Sequence, residues 1–589
     1  MSRDFRFAGA DGILDTTLSY GLMVRLEDRD PGLIAISSGG SASNANGDDG
    51  NLNYDKGIVS NMVRAHTQMA MTWGRVGLYV NGSAFYDYEN DRNDRKRTDL
   101  SSRTKDSIGK GAEVRESYLS ARFLLKGMPI QIRAGDQIIN WGETSFIRGG
   151  VGVINALDLV SVLQPASRPQ DFRIPQGMVW GAANLTENFA LEAYYQYEWE
   201  RSDFPPVGSY FSPIDLIGAA GLGGAMLGAG RISDLGTDLD AHFALPDGTL
   251  GFDPDFLRIP GGERDDAKDG GQYGVALVVV TPSANALKLG LHYIRYHSRL
   301  PLLEGRTADA QAVARTSSAA VAARAAGLAP IYEAQGLSPA EAAAAALAAS
   351  QDLTLSEYAN QARYFAVYPE DIDVIGVTFN TATVGTGTLF SGEISHHFDF
   401  PFQVAVEPVL NATLSPVLFD PAIGSGVLGD FGPDEVVPGV QRLDRTQSTL
   451  EIAQLFTRRL GADQIVVSAD VAWSRVHDIT DADVVPLQGA GAADANSFGY
   501  RLTAVARYSG ILGAVNLIPR IIFTHDFKGT TPAPVSTFLE DRKTVSIGVG
   551  ASYINKVTFD LSYTAFFGAG RRDGLNDRDF LRVQLTYSF

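Results

Sequence analysis

The chain has 589 residues, a hydrophobic fraction of 45%, a mean hydropathy of −0.03 and no cysteine. Its formal net charge of −19 argues against nucleic-acid binding, because such binding needs a basic surface. No run of eighteen or more apolar residues is present, which excludes a helical membrane protein.

The first strand pattern lies close to the N-terminus. The opening residues, MSRDFRFAGADG, lack the apolar core of a signal peptide. We interpret them as a mature N-terminus with a replaced start, and residues 1–12 as a periplasmic segment. From Ile13 to Leu26, apolar residues such as Leu18, Tyr20 and Leu22 alternate with polar ones. This period of two predicts a strand with one apolar face and one polar face.

The same alternation recurs along the chain as pairs of strands joined by short turns. The predicted pairs are Val59–Met71 with Arg75–Tyr88, Ala112–Leu125 with Pro129–Gln137, Gln176–Ala183 with Phe189–Glu200, Gln272–Thr281 with Leu287–His297, Asp373–Asn380 with Thr388–Phe398, Ser448–Thr457 with Gln464–Arg475, Phe498–Tyr508 with Ala514–Asp526, and Thr544–Tyr553 with Val557–Phe567. Within Phe189–Glu200, the alternation predicts that Leu191 and Trp199 face lipid and that Glu192 faces the lumen.

The last predicted strand is Asp579–Phe589, with the sequence DFLRVQLTYSF. Its apolar residues alternate with polar ones, and the chain ends on an aromatic residue. This ending resembles the C-terminal signal by which the barrel assembly machinery recognises bacterial outer-membrane proteins, with Leu585, Tyr587 and Phe589 as the signal residues. We expect this strand to pair antiparallel with Ile13–Leu26.

Together these patterns predict an all-β fold: one transmembrane antiparallel outer-membrane β-barrel over residues 13–589. The number of strands is about 18, within a range of 14–20. Short and long connections alternate strictly, as they do in barrels with short periplasmic turns and long outer loops. The predicted location is the bacterial outer membrane, in contact with its lipids and lipopolysaccharide.

Three connections are longer than strand linking requires. Residues 138–175 are predicted to fold into the lumen, because they combine bulky apolar residues with glycines. Residues 201–271 form a long outer loop. Residues 298–372 form an outer loop with an alanine-rich helical insertion, in which Ser338, Pro339 and Glu341 have the spacing of a helix start.

The candidate lumen constriction consists of Trp141, Glu143, Phe146 and Arg148. Burial of the apolar side chains inside the barrel would desolvate the two charged ones, so these need partners on the polar wall. Wall charges such as Arg133 or Glu192 are suitable partners. A fixed constriction and direct contact with a ligand remain alternative roles.

A second candidate site lies at the outer rim, where His297 and Arg299 follow one strand and Glu370 and Asp371 precede the next. Arg299 could pair with either carboxylate and brace the ends of the alanine-rich insertion. Ligand binding is the alternative role for these residues.

No enzyme motif is present: the sequence lacks HExxH, GxSxG, Walker A and CxxC patterns. We therefore predict no catalytic, cofactor or metal site and no enzymatic activity. Four acidic residues of the second long loop could hold calcium or could simply be solvated: Asp238, Asp240, Asp253 and Asp255.

Six stretches resemble a proteobacterial outer-membrane family known as domain of unknown function 1302. They are GDQIINWGETSFIRGGVGVINALDL (Gly135–Leu159), VWGAANLTENFALEAYYQYEWE (Val179–Glu200), GSYFSPIDL (Gly208–Leu216), YHSRLP (Tyr296–Pro301), YPEDIDVIGVTFNT (Tyr368–Thr381) and DRDFLRVQLTYSF (Asp577–Phe589). The resemblance implies an RND-type exporter and a periplasmic lipoprotein-sorting-like protein as partners, and movement of lipids or other hydrophobic compounds.

We therefore expect a passive outer-membrane channel for hydrophobic or amphiphilic compounds, gated by inward-folded loops. One alternative is a general or small-solute porin with a water-filled lumen. The other is a structural or receptor surface barrel with a sealed lumen.

Overall fold

The computed structural model describes residues 3–143, 149–219, 221–235, 257–281, 287–417, 427–479, 486–511, 513–554 and 556–589. Within these residues, eighteen antiparallel strands close into one barrel. In chain order they are β1 (Ala10–Arg25), β2 (Gly57–Trp73), β3 (Val76–Asp87), β4 (Lys110–Leu125), β5 (Met128–Gln137), β6 (Gln176–Asn184), β7 (Phe189–Gln196), β8 (Gln272–Val280), β9 (Lys288–Tyr296), β10 (Ile372–Ala382), β11 (Leu389–Gln403), β12 (Val440–Arg459), β13 (Ala462–Val476), β14 (Asn496–Arg507), β15 (Val515–Lys528), β16 (Lys543–Tyr553), β17 (Val557–Phe567) and β18 (Phe580–Ser588).

The predicted barrel is confirmed, and each predicted strand corresponds to one of these eighteen. The first strand begins earlier than the sequence indicated, because Ala10 already belongs to β1. Residues 10–12 are therefore part of the barrel sheet rather than of a separate periplasmic segment. Ahead of them, Arg3–Phe7 forms a short strand that folds back on the start of β1.

The barrel closes where β1 meets β18, as predicted. Their antiparallel register runs from Thr17 opposite Ser588 to Arg25 opposite Phe580. The backbone N–H of Phe589 donates to Thr16 O at 2.9 Å, and the N–H of Thr16 donates to Phe589 O at 3.1 Å. Because the first and last strands share a full ladder, the sheet has no free edge there.

Strand alternation sorts side chains between lipid and lumen. On β7, Leu191 is 37% exposed on the outside of the barrel, whereas Glu192 is held inside by hydrogen bonds. Trp199 does not face lipid, contrary to the prediction. Because β7 ends at Gln196, Trp199 turns inward, is only 8% exposed and donates from its indole Nε1 to Ser298 O.

The long connections fold at one end of the barrel into a compact cap. Five strands there form a separate sheet, in the order Gly224–Met226, Arg258–Asp265, Arg363–Val367, Leu302–Arg306 and Val436–Val437. Two further strand pairs are Ala156–Leu157 with Arg173–Ile174 and Ile217–Gly218 with Gly221–Leu222. Among the described residues, the α-helices are Asp49–Leu52, Tyr88–Arg92, Ser102–Ile108, Leu159–Leu163, Ala310–Arg315, Ser318–Ala334, Pro339–Ala359 and Val406–Ala412.

Short 3₁₀ helices also occur in these connections. They are Pro31–Leu33, Ile36–Ser38, Val151–Ile154, Pro169–Phe172 and Gly570–Arg572. None of the helices in the described ranges is long and apolar enough to cross a membrane.

The alanine-rich insertion is helical, and its longest helix begins where the sequence predicts. Ser338 caps the helix, and Glu341 bonds back to the Ser338 backbone at 3.0 Å, which completes a capping box. The insertion stands on two antiparallel cap strands, whose last registered pair is Arg306 opposite Arg363. Its two ends are therefore adjacent, and the helices extend from a hairpin.

Candidate functional site

The first half of residues 138–175, which we call the inward segment (139–155), lines the inner face of the barrel. It leaves the outer end of β5 and returns to lie against Gln196, whose Nε2 donates to Ile154 O at 3.2 Å. Asn155 holds the two ends together: its Nδ2 donates to Ile139 O at 2.6 Å, and its Oδ1 accepts from the Ile139 N–H at 3.1 Å. This side chain substitutes for the backbone pairing of a hairpin.

Trp141 anchors the inward segment to the wall. Its indole Nε1 donates to Glu192 Oε2 at 2.9 Å, and Trp180 Nε1 donates to the same oxygen at 3.3 Å. The Trp141 ring lies 5.1 Å from the ring of Tyr194 and 5.5 Å from that of His292. A carboxylate oxygen shared by two buried indoles fixes the depth of Trp141, because each indole N–H has lost its water.

Glu143 lies at the far point of the described path. Lys288 Nζ bonds Glu143 Oε1 at 2.8 Å, and Asn380 Nδ2 donates to Oε2 at 3.2 Å. Lys288 is the first residue of β9, beside a short turn, so the inward segment reaches from the capped end towards the short-turn end. Glu143 does not pair with Arg133, the cation among the predicted wall partners.

Both predicted wall charges make other contacts. Glu192 accepts from the two indoles, and the Arg133 guanidinium stacks 4.2 Å from the Trp180 ring. The two other predicted constriction residues, Phe146 and Arg148, lie outside the described residues.

Two glycines allow the returning part of the inward segment, residues 149–155, to contact the wall. A Cβ on Gly150 would lie 1.5 Å from Glu393 Oε1, so no larger residue fits there without movement. Gly149 has a φ of +93° and its carbonyl accepts from Arg445 Nη1 at 3.2 Å. The wall provides a matching gap at Gly376, where a Cβ would lie 2.2 Å from Val151 Cγ1.

The second half of residues 138–175 lies against the opposite part of the wall. Asp171 Oδ2 lies 3.2 Å from Nε2 of His66 on β2. Arg115 on β4 donates to the Asp171 and Arg173 carbonyl oxygens at 2.9 and 2.8 Å. Because one half contacts β7–β12 and the other contacts β2 and β4, the connection crosses the lumen.

The wall behind the inward segment carries a large apolar patch on its inner face, beside the polar contacts above, and the sequence did not predict this patch. Buried side chains from the segment and from β6–β11 form one cluster that includes Trp141, Val151, Met178, Ile294 and Val374. On such strands both faces are apolar, so the alternation that marks the rest of the barrel is lost.

Beyond the contact at Arg445, the wall on β12–β18 carries exposed side chains on its inner face and is chemically mixed. Leu455 and Val466 share its inner face and are 46% and 40% exposed. Arg520 makes a two-armed pair with Asp560, at 2.5 and 2.7 Å, with about a quarter of each side chain exposed. We call this surface the open wall.

The four predicted rim residues lie together, but their pairing differs from the prediction. Arg299 does not bind Glu370 or Asp371. Its Nη2 instead donates to Gln196 Oε1 at 2.8 Å and to Gln272 Oε1 at 3.1 Å. Burial lowers the pKa of Arg299 to about 10, yet the guanidinium stays charged at neutral pH.

The carboxylates of the rim are neutralised by other cations. Lys268 Nζ lies 2.6 Å from Glu370 Oε2, and Arg295 Nε lies 3.3 Å from Asp371 Oδ1. The His297 ring sits between Gly270 O, 2.9 Å from Nε2, and the Asp371 N–H, which donates to Nδ1 at 3.0 Å. This geometry requires the neutral tautomer with the proton on Nε2, and burial lowers the pKa of His297 accordingly.

The predicted assembly-signal residues end the closing strand. Leu585 and Tyr587 point out of the barrel and are exposed. The Tyr587 and Phe589 rings stack with their centroids 5.5 Å apart.

An apolar exterior, a closed antiparallel sheet and loops folded into the interior define the class of large transmembrane β-barrels. The chain belongs to the family described as "Protein of unknown function (DUF1302)", whose sequence model matches residues 2–589. A comparison with curated proteins finds no match.

Solved structures of proteins from two bacterial species resemble this chain only distantly. OccAB1 of Acinetobacter baumannii is 8% identical, with 99% of this chain and 97% of that chain covered and a TM-score of 0.40. OccK3 (OpdO) of Pseudomonas aeruginosa is 10% identical, with 98% and 95% covered and a TM-score of 0.36. OprD of the same organism is 9% identical, with 98% and 95% covered and a TM-score of 0.37. At such values these structures support no inference about this chain.

Proposed function

We propose that this protein is a passive channel of the bacterial outer membrane for small amphiphilic molecules. The open wall carries this proposal. It places exposed Leu455 and Val466 in the same lumen as the charged side chains of Arg520 and Asp560. The apolar body of an amphiphile can contact Leu455 and Val466, and its charged or polar group can interact with Arg520 and Asp560.

The inward segment narrows the route to this wall. It fills the side of the lumen under β6–β11 with its own apolar side chains, so cargo there would have to displace Trp141 and Val151. Passage is easier along β12–β18, where the wall is uncovered. The orientation follows from loop length, with the short turns towards the periplasm.

The test is flux through the purified protein in liposomes. We expect octanoate to pass faster than propionate, although the longer anion diffuses more slowly in water. Val466→Ser should reduce octanoate flux and leave propionate flux unchanged, because it removes apolar area from the lumen. Thr503→Ser, on the neighbouring strand of the same wall, is the matched control.

Three results would speak against the proposal. If the fluxes of octanoate, propionate and glucose depended on molecular size alone, this would favour the small-solute porin. An absence of both flux and ion conductance would favour the sealed surface barrel. Equal loss of both anions in Val466→Ser would indicate damage to the barrel rather than lost recognition.

A second candidate, movement of lipid-like hydrophobic cargo, is favoured by an apolar crevice near the closing seam. Met23, Val59, Leu163 and Phe211 line it under the cap. Its volume of about 40 Å³ holds one or two water molecules, so a lipid would enter only if the cap loops moved. The RND-type exporter and the periplasmic lipoprotein-sorting-like protein belong to this candidate as proposed partners. Native mass spectrometry that finds no retained lipid would count against it.

A further inference from the structure

Four aspartates from two separate connections meet in the cap. Asp48 and Asp49 follow β1, and Asp215 and Asp234 follow β7. One carboxylate oxygen from each lies within 4.8 Å of the others. Two oxygens on opposite sides of one calcium ion are about 4.6–5.2 Å apart, so all four could bind the same ion.

The charges of this cluster are not balanced by the protein. Arg97 is the cation that contacts it: Nε lies 3.4 Å from Asp49 Oδ1, and Nη2 bonds Asp234. When all four carboxylates are ionised, one guanidinium leaves an excess of three negative charges. Asp48, Asp49 and Asp215 are buried, and buried like charges without a counter-ion are strongly unfavourable.

Two oxygens of the cluster also have no hydrogen-bond partner. Asp48 is 0% exposed and Asp215 is 6% exposed. In each, Oδ2 accepts a backbone N–H, from Ala35 at 2.9 Å and from Asp49 at 3.3 Å, while Oδ1 is buried and unpaired. A buried acceptor without a donor needs a ligand, and a cation is the ligand that also removes the excess charge.

We propose that Asp48, Asp49, Asp215 and Asp234 form a calcium site that joins the β1–β2 connection to the β7–β8 connection in the outer cap. Calcium fits because it takes six to eight oxygen ligands in a flexible geometry, and every donor here is a carboxylate. The bound ion ties the two connections together beside Asn46, whose carbonyl already accepts the Asp215 N–H at 2.9 Å. The site is independent of what passes through the lumen.

The experiment is isothermal titration calorimetry. The full chain in detergent is first treated with a chelator, and calcium is then titrated into it. Wild type should bind one strong equivalent. Asp215→Asn and Asp234→Asn should each bind about tenfold more weakly or worse, because affinity follows the number of charged ligands. Asp28→Asn is the matched control, since that side chain is 84% exposed and far less confined.

A further variant has the opposite expected sign. Arg97→Gln removes the guanidinium that competes with the ion, so calcium should bind more tightly than in wild type. Weaker binding in Arg97→Gln would contradict the site, because removal of a cation that competes with the ion should strengthen calcium binding.

Heat-modified mobility on gels identifies variants that fold, and Asp234→Asn, at the partly exposed side of the cluster, serves if Asp215→Asn does not. Three results would overturn the proposal: no calcium binding by wild type at millimolar calcium, unchanged binding in both aspartate variants, or tighter binding of Mg²⁺ than of Ca²⁺.

Discussion

At the scale of single residues, contact between the inward segment and the wall depends on Gly150. Gly150→Ala would place a Cβ 1.5 Å from Oε1 of the buried Glu393, so either that carboxylate must swing aside or the segment must move away from β11. Overpacking of this kind costs about 1–3 kcal/mol. We expect faster hydrogen exchange in the peptide that covers residues 149–157 and a larger single-channel conductance.

The control for this variant is two residues away. A Cβ on Gly152 would meet nothing within 4 Å, so Gly152→Ala should leave exchange and conductance unchanged. If both variants behaved alike, the tight contact at Glu393 would not be what positions the segment.

The rim should respond to pH through His297. Burial lowers the pKa of His297 below its usual 6.5, so the neutral ring is the form that stabilises the rim. That stability is present above pH 6.5 and is lost as the pH falls below 6.5 towards the folded-state pKa, because the opened rim binds the proton more readily. Protonation of Nδ1 also removes the bond from the Asp371 N–H.

Hydrogen exchange of the Asp371 amide measures this effect. Relative to its intrinsic chemical rate, exchange should be faster at pH 5.5 than at pH 7.5. His297→Gln should abolish the pH dependence, and an unchanged profile in that variant would assign the effect to another group.

Residue chemistry was predictable from sequence only where a residue and its partner lie close in the chain. Ser338 and Glu341 were found in this way, because their spacing carries the capping signal. Glu393 and Arg445, which hold the inward segment, were not, because they lie on remote strands. Arg299 was assigned to nearby carboxylates, whereas burial places it among glutamines that no local pattern connects to it.

At the scale of elements, the inward segment is the part that should control the size of the lumen. Deletion of residues 141–150 removes the Trp141 anchor and the Glu143 pair with Lys288, and leaves the wall strands intact. We expect the conductance in planar bilayers to rise. Glu143→Ala should give a smaller rise, because Lys288 loses its partner while the apolar anchor remains.

An unchanged conductance after the deletion would show that these residues do not limit the lumen. The channel would then lose its proposed constriction, and another cap element would have to provide it.

The helical insertion should be dispensable for the barrel. Arg306 and Arg363 are paired across the hairpin that carries it, so a short turn can replace residues 307–362. The helices Ser318–Ala334 and Pro339–Ala359 pack mainly on each other and on cap residues. We expect the shortened chain to keep its heat-modified gel mobility and wild-type conductance, which makes it a control for the segment deletion. Loss of the folded band would assign the insertion a structural role.

At the scale of the whole molecule, we expect assembly of the closed barrel to depend on the last residue. Removal of Phe589 eliminates two backbone hydrogen bonds to Thr16 and the ring stack with Tyr587. We expect less folded barrel in the outer membrane at unchanged total synthesis, measured by heat-modified mobility and immunoblot. Phe589→Tyr keeps an aromatic terminus and the backbone bonds, so it should assemble normally. Normal assembly without Phe589 would refute the signal.

The barrel was predictable because most strands alternate, as Val557–Phe567 does. The contents of its interior were not, because β10 is apolar on both faces and gives no sign that one face is covered by chain. The cluster of four aspartates escaped for another reason: Asp48 and Asp215 are 167 positions apart in the sequence, with six barrel strands between them. For this cluster, the distance between its residues along the chain, rather than a weak local pattern, limited what the sequence could predict.

The pairing of β1 with β18 also governs when this protein can become a barrel at all. Thr17 and Ser588 touch across 571 positions of sequence, so the contact forms only after synthesis ends. The conformational entropy of this long intervening chain must be lost before the contact between its ends can form, and this makes folding slow. Throughout that delay the nascent sheet exposes two unpaired rows of backbone groups, each able to dock on another copy. We therefore expect the chain to need an escort to the membrane, and its abundance should fall when escort is scarce, long before its finished form becomes unstable.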